Sequence, residues 1–284
     1  MTDWVVDLDG VMWRGKVPIE GSAEAIGELL ARGDRVLFCT NNSAESGEAR
    51  AARLSEQGIP DGCKVVTSAD AVCALVEPGE SVLVIGGPGL LDALAEHGAR
   101  PTAAAEADPA PIVAAATARA SDPAASGRPY DAVVVGLTRD FGYRQIDAAQ
   151  AAVRAGARLL ATNDDATFPG ADGIHPGCGS LLAAVETGAG VRAEVAGKPL
   201  GPMCDLIIDM LGLGERGGAS DGRGGVIVVG DRPGTDGRLA ENLGVRFALV
   251  LSGVTSQADL PVEVPTALVG DDLAAIVTGH TEDR

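Results

Sequence analysis

The chain has 284 residues, 46% of them hydrophobic, with 40 acidic against 22 basic side chains and a formal net charge of −18. This length suits a core domain carrying an inserted one, and the negative balance argues against nucleic acid or an anionic membrane as a partner. No run of about eighteen apolar residues occurs, so no membrane-spanning helix is expected. The apolar run from Trp4 leaves no room for a secretory leader, and a cytoplasmic protein is expected. The five cysteines are odd in number, scattered and without C-x-x-C spacing, which reads as packing residues and not as a disulfide framework or zinc site.

In chain order, short β-branched runs predict strands at 4–7, 35–40, 64–66, 81–86, 131–136, 158–162, 191–195, 225–230, 246–251 and 266–269. Between them lie stretches with a period near 3.6, such as Ala23/Ile26/Leu29/Leu30 and Met203/Leu206/Ile207/Met210, several of them closed by glycine. Strand and helix in alternation predict an α/β fold, a parallel sheet covered by helices on both faces. Two stretches break the rhythm. Residues 101–129 are rich in Ala, Pro, Asp and Ser, with one helix expected over 112–120, and 213–224 are Gly-rich and read as a surface loop.

Functional groups of open α/β sheets collect beyond the carboxyl ends of the strands. The first run ends in Asp7-Leu8-Asp9-Gly10 and the second in Thr40-Asn41-Asn42-Ser43. The run at 191–195 is followed by Gly197-Lys198-Pro199, and that at 225–230 by Asp231, with Asp236 beyond. Each alone has a bland reading: Asp as a turn former, Thr-Asn-Asn-Ser as a helix N-cap, Gly-Lys-Pro as a turn. Together they place carboxylates, amide and hydroxyl donors and one of only three lysines at four strand ends.

That set suits phosphoryl transfer. Alternation along a strand sends Asp7 and Asp9 to one side, about 6–7 Å apart. Asp7 then serves as the nucleophile and Asp9 as general acid/base. So many acids beside a phosphate call for a hard cation, Mg2+, with Asp7, the backbone carbonyl of Asp9 and Asp231 as ligands and Asp236 assisting. Thr40 and the amides after it, at an expected helix N-terminus, would take phosphate oxygens, and Lys198 would offset the remaining charge. Within 162–176, Asn163, Asp164 and Asp165 read as turn and N-cap formers. Phe168 and His175 stand out in a chain with four Phe and three His, either as substrate contacts or as packing residues.

These four motifs, with Pro176-Gly177-Cys178-Gly179-Ser180, resemble the haloacid-dehalogenase superfamily, and most closely its nitrophenylphosphatase-like branch (class IIA), which includes pyridoxal-phosphate and phosphoglycolate phosphatases. The resemblance implies a Rossmann-like core with an inserted α/β cap and a Mg2+-dependent phosphomonoesterase with Asp7 as nucleophile. It also implies phosphate held by Thr40, Asn41, Asn42 and Lys198, and a homodimer through the cap. The expected division is core over 1–79, cap over 80–176 and core again over 177–284. Arg232-Pro233-Gly234 departs from the family pattern. The alternative is a non-catalytic or signalling phosphoacceptor domain with the same acid cluster, but the chain is about twice a receiver's length and a pure binder has little use for Asp9.

Overall fold

The computed structural model describes residues 1–122, 124, 127–170, 173–213 and 225–282. The chain opens with β1 (Asp3–Val6), a hairpin of β2 (Trp13–Arg14) and β3 (Val17–Pro18), α1 (Ser22–Ala31), β4 (Arg35–Thr40), α2 (Gly47–Glu56), β5 (Lys64–Thr67) and α3 (Ser68–Cys73). There follow β6 (Ser81–Ile85), α4 (Pro88–Glu96), β7 (Arg100–Ala103), α5 (Pro109–Ser121), β8 (Ala132–Val135), α6 (Tyr143–Arg154) and β9 (Arg158–Ala161). A second hairpin, β10 (Thr167–Gly170) and β11 (Gly173–Pro176), leads to α7 (Cys178–Ala189) and β12 (Glu194–Val195). The chain ends with α8 (Gly201–Leu211), β13 (Val226–Gly230), a π-helical turn (Pro233–Gly237), α9 (Arg238–Leu243), β14 (Arg246–Val250), β15 (Leu268–Gly270) and α10 (Leu273–Glu282).

Two parallel sheets result. The first has six strands in the order β15-β14-β13-β1-β4-β5, the second five in the order β12-β9-β8-β6-β7. Strands β1, β8 and β13 are buried along their whole length, as parallel strands covered on both faces must be. Alternation sorts their side chains. Trp4, Val6, Phe38 and Val229 pack with Ile26 and Leu29 of α1 and Ile276 of α10 on one face. Val5, Leu37 and Val228 meet Met203 and Ile207 of α8 on the other, in a cluster that continues into Val82, Val84 and Val134 of the second sheet. Burying each such side chain contributes about 1.5–3 kcal/mol. The far face of the second sheet carries α6 and α7, where Ala148, Ala149, Ala151 and Ala152 bring the helix close to the strands without bulky aromatics.

Most predicted strands occur where expected, but five short ones do not appear in the periodicity. β7 begins Arg-Pro, and the hairpin strands β2, β3, β10 and β11 carry too few apolar residues to display a pattern. The strand expected at 191–195 shrinks to Glu194–Val195. Within 101–129 the helix is longer than expected, because Asp108 caps it by accepting from the Ala110 amide (3.0 Å) and Pro109 occupies its first turn. The Gly-rich stretch lies, from 214 to 224, outside the described residues. Beyond 176, α7 packs on the second sheet and β12 pairs with β9 in it, where the sequence reading expected the core to resume. The described cysteines are all free thiols. No helix among the described residues is long and apolar enough to cross a membrane.

Candidate active site

Asp7 follows β1 directly, its amide bonded to the Val229 carbonyl of β13 (2.9 Å). The chain then turns sharply, the Leu8 carbonyl accepting from the amides of Val11, Met12 and Trp13. Gly10 makes that turn possible: its φ is +91°, and any side chain there would strike the Asp231 carboxylate. Asp9 is half-buried and accepts a hydrogen bond from Trp13 Nε1 (3.0 Å).

Lys198 enters from the turn after β12 and is 3% exposed. Its ammonium donates to Asp7 Oδ1 (2.8 Å), Asp236 Oδ1 (2.7 Å) and the Cys39 carbonyl (3.1 Å), which uses all three of its protons. Asp236 sits on the π-helical turn after β13, and its Oδ2 accepts from the Arg232 amide (3.1 Å). Asp231 accepts from the Val254 amide through Oδ2 (2.6 Å), while its buried Oδ1 has no hydrogen-bond partner among the described residues. Oxygens of Asp7, Asp231 and Asp236 all lie within 4.8 Å of one another.

Three buried carboxylates against one ammonium leave a formal excess of two negative charges. Burial pushes the Asp7 carboxyl well above the ordinary range; Lys198 pulls it back, and Asp236 and Asp231 push it up further. Burial, and then Asp236, lift Asp231 to about 7. Burial works against the Lys198 ammonium, but Asp236 and Asp7 outweigh it and hold that group well above its usual value. The cluster therefore keeps its lysine charged and resists full ionisation of its acids.

Thr40 ends β4 and is buried. The structure corrects its expected setting: α2 begins only at Gly47, capped by Ser46, so Thr40 opens a loop and not a helix. The loop is curled by its own side chains, with the Asn42 amide on Thr40 Oγ1 (3.1 Å) and the Ala44 amide on Asn42 Oδ1 (3.2 Å). Asn41 lines the cleft, but its side chain is engaged by other residues. Its side chain accepts from the Lys198 amide (2.7 Å) and donates to the Lys198 carbonyl (3.0 Å) and to Asp165 (2.8 Å).

Above these groups lies a cleft lined by Asp7, Asp9, Thr40, Asn41, Asn42 and Lys198 below and by Asn163, Asp165 and Phe168, from the segment that follows β9, on the other side. Asp165 is not the N-cap that its sequence position suggests. Its carboxylate accepts from Asn41 and from Asn163 (both 2.8 Å), joining the loop after β4 to the segment after β9, and α7 is capped by Gly177 with no side-chain hydrogen bond. Gly177 and Gly179 are explained by close approach, since a Cβ at either would collide with the backbone of Asp165 or Asp164. In the β10–β11 hairpin Phe168 and His175 are direct cross-strand partners, their rings stacked at 5.4 Å. Phe168 reaches the cleft wall; His175 lies behind it and is not among the lining residues.

Two contributors escaped the sequence reading. Arg232 reaches across from the fourth motif to the Thr167 carbonyl (3.0 Å), tying the hairpin to the turn after β13. Trp13 holds Asp9. Its rarity, one of two Trp in the chain, four residues after an acid of interest, was the available signal.

A family model described as haloacid dehalogenase-like hydrolase matches residues 4–100, and one described as HAD-hydrolase-like matches residues 195–276. The chain is 34% identical over 96% of its length to a D-glycerol 3-phosphate phosphatase of Mycobacterium tuberculosis, covering 70% of that protein. It is 30% identical to an acid sugar phosphatase of Staphylococcus epidermidis, covering 95% of this chain and 94% of that one. Among solved structures, a p-nitrophenyl phosphatase from Archaeoglobus fulgidus superposes with a TM-score of 0.78 at 26% identity, over 98% of both chains. The mycobacterial glycerol phosphate phosphatase, solved in complex with magnesium, superposes at 0.74 with 30% identity, over 96% of this chain and 75% of that one.

Proposed function

Since the chain belongs to the haloacid dehalogenase-like hydrolases, we propose that it is a Mg2+-dependent phosphatase of small phosphomonoesters that works through an aspartyl-phosphate on Asp7. The observation that carries this reading is the convergence of Asp7, Asp231 and Asp236 around Lys198 at the floor of the cleft. A divalent cation matches the cluster's excess of two negative charges, and the unpartnered, buried Asp231 Oδ1 is an acceptor that needs one. Asp7, Asp231 and the backbone carbonyl of Asp9 would hold Mg2+; Asp236, with both oxygens already bonded, supports it through Lys198 and the Arg232 amide. When bound, the cation supplies charge neutralisation to the phosphate oxygens.

Lys198 on Oδ1 fixes the orientation of the Asp7 carboxylate for attack on phosphorus. As the Asp7–phosphorus bond forms, the bond to the leaving oxygen breaks and Asp9 gives that oxygen its proton. Asp9 then takes a proton from water, whose oxygen displaces phosphate from Asp7 and restores both carboxyl groups. A purely phospho-accepting role does not account for Asp9 oriented in the cleft. The inserted unit is taken to run from 80 to about 196, on the strength of β12 pairing with β9.

Purified protein should turn over nitrophenyl phosphate with Mg2+ and lose that activity in chelator; full activity in excess chelator would exclude this reading. The stabilising effect of the cation should also depend on pH. Asp231 titrates near 3.8 when unfolded and at about 7 in the metal-free fold. Between those values the fold holds a proton that the unfolded chain has released, so this group's contribution to stability falls as pH rises through the window. Cation binding needs the ionised form. The rise in thermal midpoint on adding Mg2+ should therefore be larger at pH 8 than at pH 5, measured on chelated and reloaded protein.

Small polyol and sugar phosphates are the substrate class that the relatives favour. Phe168→Ala, which strips an aromatic wall from the cleft, should reorder substrate preference in a screen of metabolite phosphates. Turnover of nitrophenyl phosphate by that variant should change by less than about threefold, as expected for a lost apolar contact away from the reacting atoms. His175→Ala, which leaves the Phe168 ring in the cleft wall, should do less.

A further inference from the structure

Asp9 is gripped from behind. The indole N–H of Trp13, a fully buried residue, donates to Asp9 Oδ1 at 3.0 Å. The two residues are also joined through the backbone turn, with the Gly10 amide on the Trp13 carbonyl (2.7 Å). The Arg53 guanidinium of α2 lies over the Trp13 ring, 3.9 Å from its centroid, and donates to the Gly15 carbonyl (2.7 Å) in the turn between β2 and β3. Neither Trp13 nor Arg53 lines the cleft.

An indole nitrogen can only donate, and the unprotonated oxygen of a carboxyl group is the better acceptor, so the oxygen facing the indole is disfavoured as the site of the proton. We propose that Trp13 is a positioning residue that confines the catalytic proton of Asp9 to Oδ2, and that Arg53 reinforces it. A cation over the indole face draws electron density from the ring, sharpens the N–H as a donor and locks the ring plane. In the first half-reaction the Oδ2–H bond breaks as the leaving oxygen parts from phosphorus, and that oxygen gains the proton. In the second, Oδ2 regains a proton from the attacking water. Without the grip the carboxyl group rotates, and the proton spends part of its time on the wrong oxygen.

This inference rests on Asp9 being the general acid/base, so Asp9→Asn is the reference. That variant should lose far more activity on an alkyl phosphate, such as glycerol 3-phosphate, than on nitrophenyl phosphate, whose leaving group needs no proton. Trp13→Phe keeps the ring under Arg53 and removes only the donor. It should lower kcat on the alkyl phosphate by about tenfold or more, the range for a lost hydrogen bond to a charged group, and on nitrophenyl phosphate by less than about threefold. KM should stay within about twofold on both, since the contact is not to substrate. Arg53→Met should cause a smaller loss of the same selectivity, and Arg53→Lys should restore it. These two variants decide the matter if Trp13→Phe does not fold. Equal losses on both substrates, with Asp9→Asn selective, overturn the role of Trp13. An unselective Asp9→Asn overturns the general-acid reading beneath it.

Discussion

Asp7→Asn leaves a folded protein whose phosphatase turnover is lower by a factor on the order of 10⁴–10⁶, the scale on which removal of a covalent nucleophile acts. The amide cannot attack phosphorus, and every other group of the cluster stays in place. The fold should tolerate the change, because the site relieves one of three crowded carboxylates and Lys198 keeps Asp236 and the Cys39 carbonyl. Without its cation the variant is expected to be at least as stable as the parent, since burial already disfavours the Asp7 charge. Trapping with beryllium fluoride, read by mass spectrometry or by thermal shift, should label the parent at Asp7 and fail on the variant. Turnover by Asp7→Asn within tenfold of the parent would remove Asp7 from the nucleophile's role.

Lys198→Met is expected to damage both activity and stability. The substitution keeps the length of the side chain and deletes the one cation among three buried acids. Breaking a buried pair by removing one partner costs about 3–5 kcal/mol, because the charge left behind has neither water nor a counter-ion. The deficit should shrink as pH is lowered from 8 to 5, since Asp7 and Asp231, already raised, take up protons and cease to repel each other. Mg2+ should recover part of it at high pH by the same electrostatic logic. Denaturant midpoints at the two pH values, with and without the cation, measure all of this. A deficit that is independent of pH would mean that Lys198 acts by packing. Loss of turnover should accompany the loss of stability and persist at the low pH where stability recovers, because the Asp7 carboxylate has lost the bond that orients it.

The sequence was sufficient for the layered α/β architecture because parallel strands buried on both faces must be written as unbroken apolar runs, and helices on a sheet must carry a 3.6-residue stripe. It also pointed to the convergence of Asp7, Asp9, Lys198, Asp231 and Asp236, for a related reason. The carboxyl end of each strand is fixed by its apolar run, and all these ends open onto one edge of the first sheet or the turn facing it. What only the tertiary structure decided are relations between residues far apart in sequence. The Asn41 side chain has no assigned partner in the sequence until Lys198, 157 positions away, claims both ends of its amide. Asp165 reads as a helix cap until Asn41, 124 positions away, meets it across the cleft. The membership of Glu194–Val195 in the second sheet depended on β12 finding β9. Periodicity records which face of an element is buried; it holds no information on which distant donor completes a polar side chain. A polar group in the interior is satisfied by whatever the folded chain brings within about 3 Å, and that choice is made only when the two units close on each other.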